Sequence, residues 1–131
     1  MSMVGNPKNN DKAFSVDRYE EFYENHLFEP IPEAEALTVN EVIPRFGWAF
    51  DQLEEIEPKT LLDLGCLDGS FALSVASQLG AKVVGVDLTK DGIDIATRRA
   101  KEHKLPAEFY QGFCEDHLEK FIKEGRKFDV V

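Results

Sequence analysis

Three stretches of the 131-residue chain hold residues suited to gripping a small ligand. The first is Asp63-Leu64-Gly65-Cys66-Leu67-Asp68-Gly69-Ser70. Glycines at 65 and 69 carry no Cβ, so backbone there can come close to a ligand. If a helix begins at Ser70, its first amides and its positive dipole end suit an anion such as an amino-acid carboxylate. The second stretch closes on Asp87, 22 residues after Gly65. A carboxylate at that place can accept two hydrogen bonds from the vicinal hydroxyls of a ribose. The third is Gln111-Gly112-Phe113-Cys114-Glu115-Asp116. Phe113 is apolar, the backbone of Cys114 offers an N–H donor, and Glu115 and Asp116 offer carboxylate acceptors. Each stretch also has a plain structural use. The glycine run could be a bare turn, Asp87 an N-cap ahead of Lys90 and Asp91, and Glu115 and Asp116 helix caps.

These residues need a scaffold that brings three distant turns together, and the pattern after Lys59 supplies one. Thr60 to Leu64 is a short apolar run closed by Gly65, as expected of a strand buried on both faces. Ser70 to Leu79 is apolar at helical spacing and stops at Gly80. Lys82 to Asp87 reads as a second strand, Asp91 to Lys104 as a helix, Ala107 to Gln111 as a third strand and Cys114 to Glu124 as a helix ended by Gly125. Phe128-Asp129-Val130-Val131 begins a fourth strand. Strands alternating with helices in this way specify right-handed crossovers and a parallel sheet, with ligands at the carboxyl ends of its strands. Upstream, residues 1–14 read as a disordered leader and 15–58 as N-terminal helices. Tyr19, Phe22, Tyr23 and Leu27 fall at helical spacing, Thr38-Val39-Asn40-Glu41 forms a capping box, and Glu54 to Lys59 reads as an acidic linker. Trp48 and Phe46 are expected in the core, and His26, His103 and His117 on the surface.

A dinucleotide site asks for Gly-x-Gly-x-x-Gly at the first turn. Counting from Gly65, the chain has Gly65, Leu67 and Ser70, so two of three glycines fail. An acid two residues before the first glycine and a glycine four residues after it, namely Asp63, Gly65 and Gly69, together with Asp87, resemble class I methyltransferases dependent on S-adenosyl-L-methionine. The resemblance covers residues 60–131 well and the N-terminal helices loosely. It implies an α/β, Rossmann-like three-layer sandwich with a parallel sheet of strand order 3-2-1-4. It implies cofactor contacts from Asp63, Gly65, Cys66, Leu67, Gly69, Asp87, Leu88, Phe113 and Cys114, with S-adenosyl-L-homocysteine as product. Tyr19 would touch the methionine part from a lidding helix, or pack that helix on the sheet. Two positions depart from the family pattern: Leu67 stands where the middle glycine belongs, and Phe113 where an acid usually bonds the adenine amino group. A complete class I fold has seven strands, so the resemblance implies a core, 59–131, that stops after its fourth strand and carries no assignable catalytic residue. Asp129 is expected to hold the loop after the first strand.

The formal net charge of −10 argues against a nucleic-acid partner, which is normally met by a basic face. A small molecule or a protein is the expected methyl acceptor. No apolar run is long enough to span a bilayer, and the polar start lacks a secretory h-region, so the cytoplasm is expected. Cys66 and Cys114 lack metal spacing and read as reduced, buried thiols. An apolar fourth strand left at a sheet edge would pair with another copy, giving a homodimer. The competing functional readings are a non-catalytic module that binds S-adenosylmethionine or S-adenosylhomocysteine, and a nucleotide-dependent oxidoreductase.

Overall fold

A computed structural model describes residues 46–131 together with Val39 and Val42. Tyr19, Tyr23, the leader, the first helix and most of the capping box lie outside the described residues. The described elements run α1 (Gly47–Ile56), β1 (Thr60–Leu64), α2 (Ser70–Leu79), β2 (Lys82–Asp87), α3 (Lys90–Glu102), β3 (Ala107–Gln111) and α4 (Cys114–Lys123). β1, α2, β2 and β3 have the bounds expected from the sequence, and α3 and α4 differ by one or two residues at their ends. Glu54 to Ile56, expected in a linker, continue α1 instead, and Glu57 ends it in the left-handed conformation.

Both pairings are parallel, β1 on β2 and β2 on β3. The expected fourth strand is a single parallel bridge, Leu61 to Val130, on the free edge of β1. Asp129 works at the other end of β1 from the one expected. Its Oδ2 accepts the Lys59 and Thr60 backbone amides at 2.8 and 3.2 Å, so it pins the start of β1 and not the loop that follows it.

Alternation along β1 and β2 sorts their side chains onto two faces. Leu61 and Val83 pack against Phe50 and Leu53 of α1 and Ala72, Val75 and Ala76 of α2. Leu62, Val84 and Val86 point the other way, against Phe121 of α4. The sheet is therefore the middle of three layers, and burying each large aliphatic side chain contributes roughly 1.5–3 kcal/mol. Trp48 is not part of this core: it is 76% exposed, whereas Phe46 is half-buried with its ring 5.1 Å from that of Phe71.

Candidate cofactor site

The carboxyl ends of β1, β2 and β3 bring the three stretches together. Gly65 and Cys66 both donate to the Val86 carbonyl, at 2.7 and 3.1 Å, and Gly112 donates to the Asp87 carbonyl at 2.9 Å. The turn after β1 is thereby tied to β2, and the turn after β3 to the residue that ends β2. The Cys114 thiol lies beside the Gly65 amide, and burial pushes its pKa up.

The turn after β1 owes its shape to three left-handed residues: Gly65 at φ 80°, Leu67 at 51° and Gly69 at 73°. Glycine adopts this conformation freely, and leucine is strained there by roughly 1 kcal/mol. The other non-glycine residues with positive φ among those described, Glu57 and Lys104, follow helix ends where it is usual. Leu67 thus takes the backbone conformation natural to the glycine it replaces. Gly69 has a second reason to be glycine: a Cβ there would lie 2.8 Å from that of Ala96 and 3.0 Å from the Phe109 ring.

Asp87 is 7% exposed. Its Oδ2 accepts the Leu67 amide at 2.9 Å, and its Oδ1 accepts the Thr89 amide at 2.8 Å and hydroxyl at 2.7 Å. A carboxylate has about four acceptor positions, so the group is fixed in orientation with capacity left on Oδ2. Thr89, and not Asp87, is the N-cap residue of α3. Asp63 shares a sheet face with Asp87, and its carboxylate accepts no hydrogen bond from the described residues. Burial, then the Asp87 charge, push its pKa up to about 6.

The start of α2 differs from the expected open anion site. Asp68 Oδ1 accepts the Ser70 amide at 3.0 Å and the Ser70 hydroxyl at 2.7 Å. The chain's own carboxylate occupies the helix end. Cys66 is 6% exposed, its thiol would contact a Cβ at Gly85, and burial raises its pKa further. The thiol packs beneath the turn, against Gly85. Leu88, Phe113 and Cys114 are half-buried, and Glu115 and Asp116 sit exposed in the first turn of α4, where negative charge is favoured.

Sequence reasoning missed three residues of the site. Arg99 is 7% exposed and donates to the Ser70 hydroxyl at 3.1 Å. Gly92 lets the start of α3 touch the turn, since a Cβ there would lie 2.8 Å from the Leu67 carbonyl oxygen. His117 is half-buried, not a surface residue. Its Nε2 lies 2.9 Å from the Gln111 carbonyl oxygen and its ring 5.4 Å from Tyr110. For Gly92 the available signal was an internal glycine at the start of a helical pattern. The described residues contain no cluster fit for a metal ion. An open cavity of about 530 Å³ at the opposite ends of the strands, between Lys82, Pro106, Glu108, Arg126 and Lys127, is remote from these turns.

A glycine-shaped turn, a buried carboxylate closing the next strand and a third turn beside them, all at the carboxyl ends of a parallel sheet, are the arrangement of a Rossmann-like fold. Comparison with known proteins sharpens this. A methyltransferase-domain family model matches residues 57–131. A large-subunit ribosomal RNA methyltransferase, as it is described, of Methanocaldococcus jannaschii is 38% identical over 78 residues, 57% of this chain and 20% of the relative. The ubiquinone biosynthesis O-methyltransferase of Photorhabdus laumondii is 31% identical over 104 residues, 79% of this chain and 39% of the relative. The solved structure of a SAM-dependent methyltransferase from Agrobacterium tumefaciens shares the fold at 20% identity, with a TM-score of 0.59 over 68% of this chain and 31% of that one. The chain belongs to the class I S-adenosylmethionine-dependent methyltransferases, a family of transferase enzymes. It spans 20% and 39% of the lengths of these two relatives.

Proposed function

We propose that this chain binds S-adenosyl-L-methionine at the carboxyl ends of β1, β2 and β3 and serves a methyl transfer to a small-molecule or protein acceptor. The observation that carries the reading is the fixed, buried carboxylate of Asp87 beside the left-handed turn of residues 65–69. The residues fit the cofactor in charge as well as in shape. Asp63 and Asp87 set two carboxylates on one sheet face, and the pKa of Asp63 is raised by burial and then by the Asp87 charge. A ligand carrying a sulfonium and an ammonium group relieves that repulsion.

In this reading Asp87 holds the ribose hydroxyls, and Gly65, Leu67 and Gly69 give backbone access. Asp63 receives the cationic amino-acid part, and Leu88, Phe113 and the Cys114 amide face the adenine. The bound cofactor supplies an electrophilic methyl group, and the protein's task is to align the acceptor with it. The acceptor is taken to be uncharged or cationic because the chain carries a net charge of −10. We also propose that Phe128 to Val131 complete a sheet of order 3-2-1-4, and that its edge pairs with a second copy.

Calorimetric titration with S-adenosylhomocysteine, with NAD as control, tests the reading. Micromolar uptake that Asp87→Ala lowers by about 100-fold or more is expected, since a charged hydrogen-bond acceptor to two hydroxyls is lost. Uptake of NAD in preference, or affinity unchanged by Asp87→Ala, refutes it.

A further inference from the structure

The inner face of α3 meets the turn of residues 65–69 at three points. Gly92 lies against the Leu67 carbonyl, Ala96 against Gly69, and Arg99 against Asp68 and Ser70. These positions are spaced i, i+4 and i+7, one stripe of a helix. The first two contacts are close because the residues are small. The third is polar: Arg99 Nη1 donates to Ser70 Oγ at 3.1 Å and stands 3.9 Å from Asp68 Oδ2. Asp68 in turn accepts from both the amide and the hydroxyl of Ser70.

A guanidinium is costly to bury, and an apolar side chain of similar size would pack at lower cost. A buried arginine is therefore better explained by what it orients. It balances the Asp68 carboxylate that occupies the start of α2. It also fixes the hydroxyl that shares that carboxylate, so the turn is held in one shape.

We propose that Arg99 is a positioning residue for cofactor binding: through Ser70 and Asp68 it holds the Gly65–Gly69 turn in its ligand-ready conformation against α3. The proposal rests on the cofactor reading above and extends it to a helix that does not itself line the ligand. Without Arg99 the turn still has its glycines and its bond to Asp87, but Asp68 is left as an unbalanced carboxylate at 26% side-chain exposure.

The test uses the full 131-residue chain, as wild type and as Arg99→Met, Arg99→Lys and Ser70→Ala. Amide hydrogen exchange is measured without ligand, and S-adenosylhomocysteine uptake by calorimetry. In Arg99→Met and Ser70→Ala, exchange at Leu67 to Ser70 should quicken by about tenfold while that in β2 stays unchanged, and the dissociation constant should rise by about tenfold at unaltered stoichiometry. Arg99→Lys should fall between these and wild type. Unchanged exchange and affinity overturn the proposal. So does a lower stoichiometry at unchanged affinity, which marks a residue needed only for folding. If Arg99→Met does not fold, Ser70→Ala, which deletes one oxygen atom, decides alone. If wild type takes up no S-adenosylhomocysteine, the cofactor reading fails, and the exchange comparison still decides whether Arg99 shapes the turn.

Discussion

Asp63 concentrates the electrostatics of the site in one side chain. Its carboxyl has an ordinary value of 3.8 and is raised to about 6 in the fold, so the native state holds this proton more tightly than the unfolded chain does. Stability from this group is therefore complete below the unfolded value and is lost as pH rises through about 6. Ligand-free protein should gain about 1–2 kcal/mol between pH 7.5 and pH 5 from this source, and Asp63→Asn should remove that part of the slope in denaturant titrations. Affinity for a cationic ligand should run the other way, rising with pH through the same range, and should go flat in Asp63→Asn. Leu67 makes a second residue-scale prediction. Leu67→Val puts a β-branched side chain at a φ of 51° and should cost about 1–2 kcal/mol in thermal unfolding, whereas Leu67→Gly should cost less than about 1 kcal/mol, because relief of strain offsets the freer unfolded chain. Asp63, Gly65, Gly69 and Asp87 were legible in sequence because the family's spacing is short and local. The left-handed conformation of Leu67 was not, since nothing in a leucine announces its φ.

At the scale of elements, strands and helices after residue 59 were readable from apolar runs punctuated by Gly65, Gly80, Pro106 and Gly125. Contacts between elements were not. Gly85 looks like a weak point in a strand pattern, yet a Cβ there would lie 2.6 Å from the Phe109 ring and 2.7 Å from Cys66 Sγ. It is glycine so that two neighbours can cross the strand. Gly85→Ala and Gly92→Ala should each destabilise by about 1–3 kcal/mol through overpacking. Only Gly92→Ala drives into backbone of the cofactor turn, so it should weaken ligand uptake more than its stability loss accounts for. Arg99 follows Arg98 among the acids and cations of a charged helix, and its composition assigns it no role in the site. The helix phase set by Ile93, Ala96 and Ala100 puts Arg99 beside that buried face, a hint that composition outweighed. Trp48 erred the other way: an aromatic in an amphipathic pattern, it points outward from α1.

At the scale of the molecule, the candidate site gathers acids at one end of the sheet: Asp63, Asp68 and Asp87 at the turns, and Glu115 and Asp116 at the start of α4. This polarity agrees with a cationic cofactor and with an acceptor that is not a polyanion. The opposite end carries Asp129 on β1 and the Glu108–Arg126 pair at 3.3 Å. Among the described residues the edge of β1 is covered only by the Val130 bridge, and Val131 is 73% exposed. Association of the chain through this edge should appear in light scattering as a mass that rises with concentration, and a constant monomer mass at high concentration would exclude it. The central claim is that the ligand lies across the carboxyl ends of all three strands. Nitrogen–proton correlation spectra of this 14.8 kDa chain, recorded as S-adenosylhomocysteine is added, test it most directly. Shifts should concentrate at Gly65 to Gly69, Asp87 to Thr89 and Gly112 to Cys114, with Lys59, Lys82 and Ala107 at the far ends unmoved. Shifts confined to the far ends, or none in a folded sample, would contradict it.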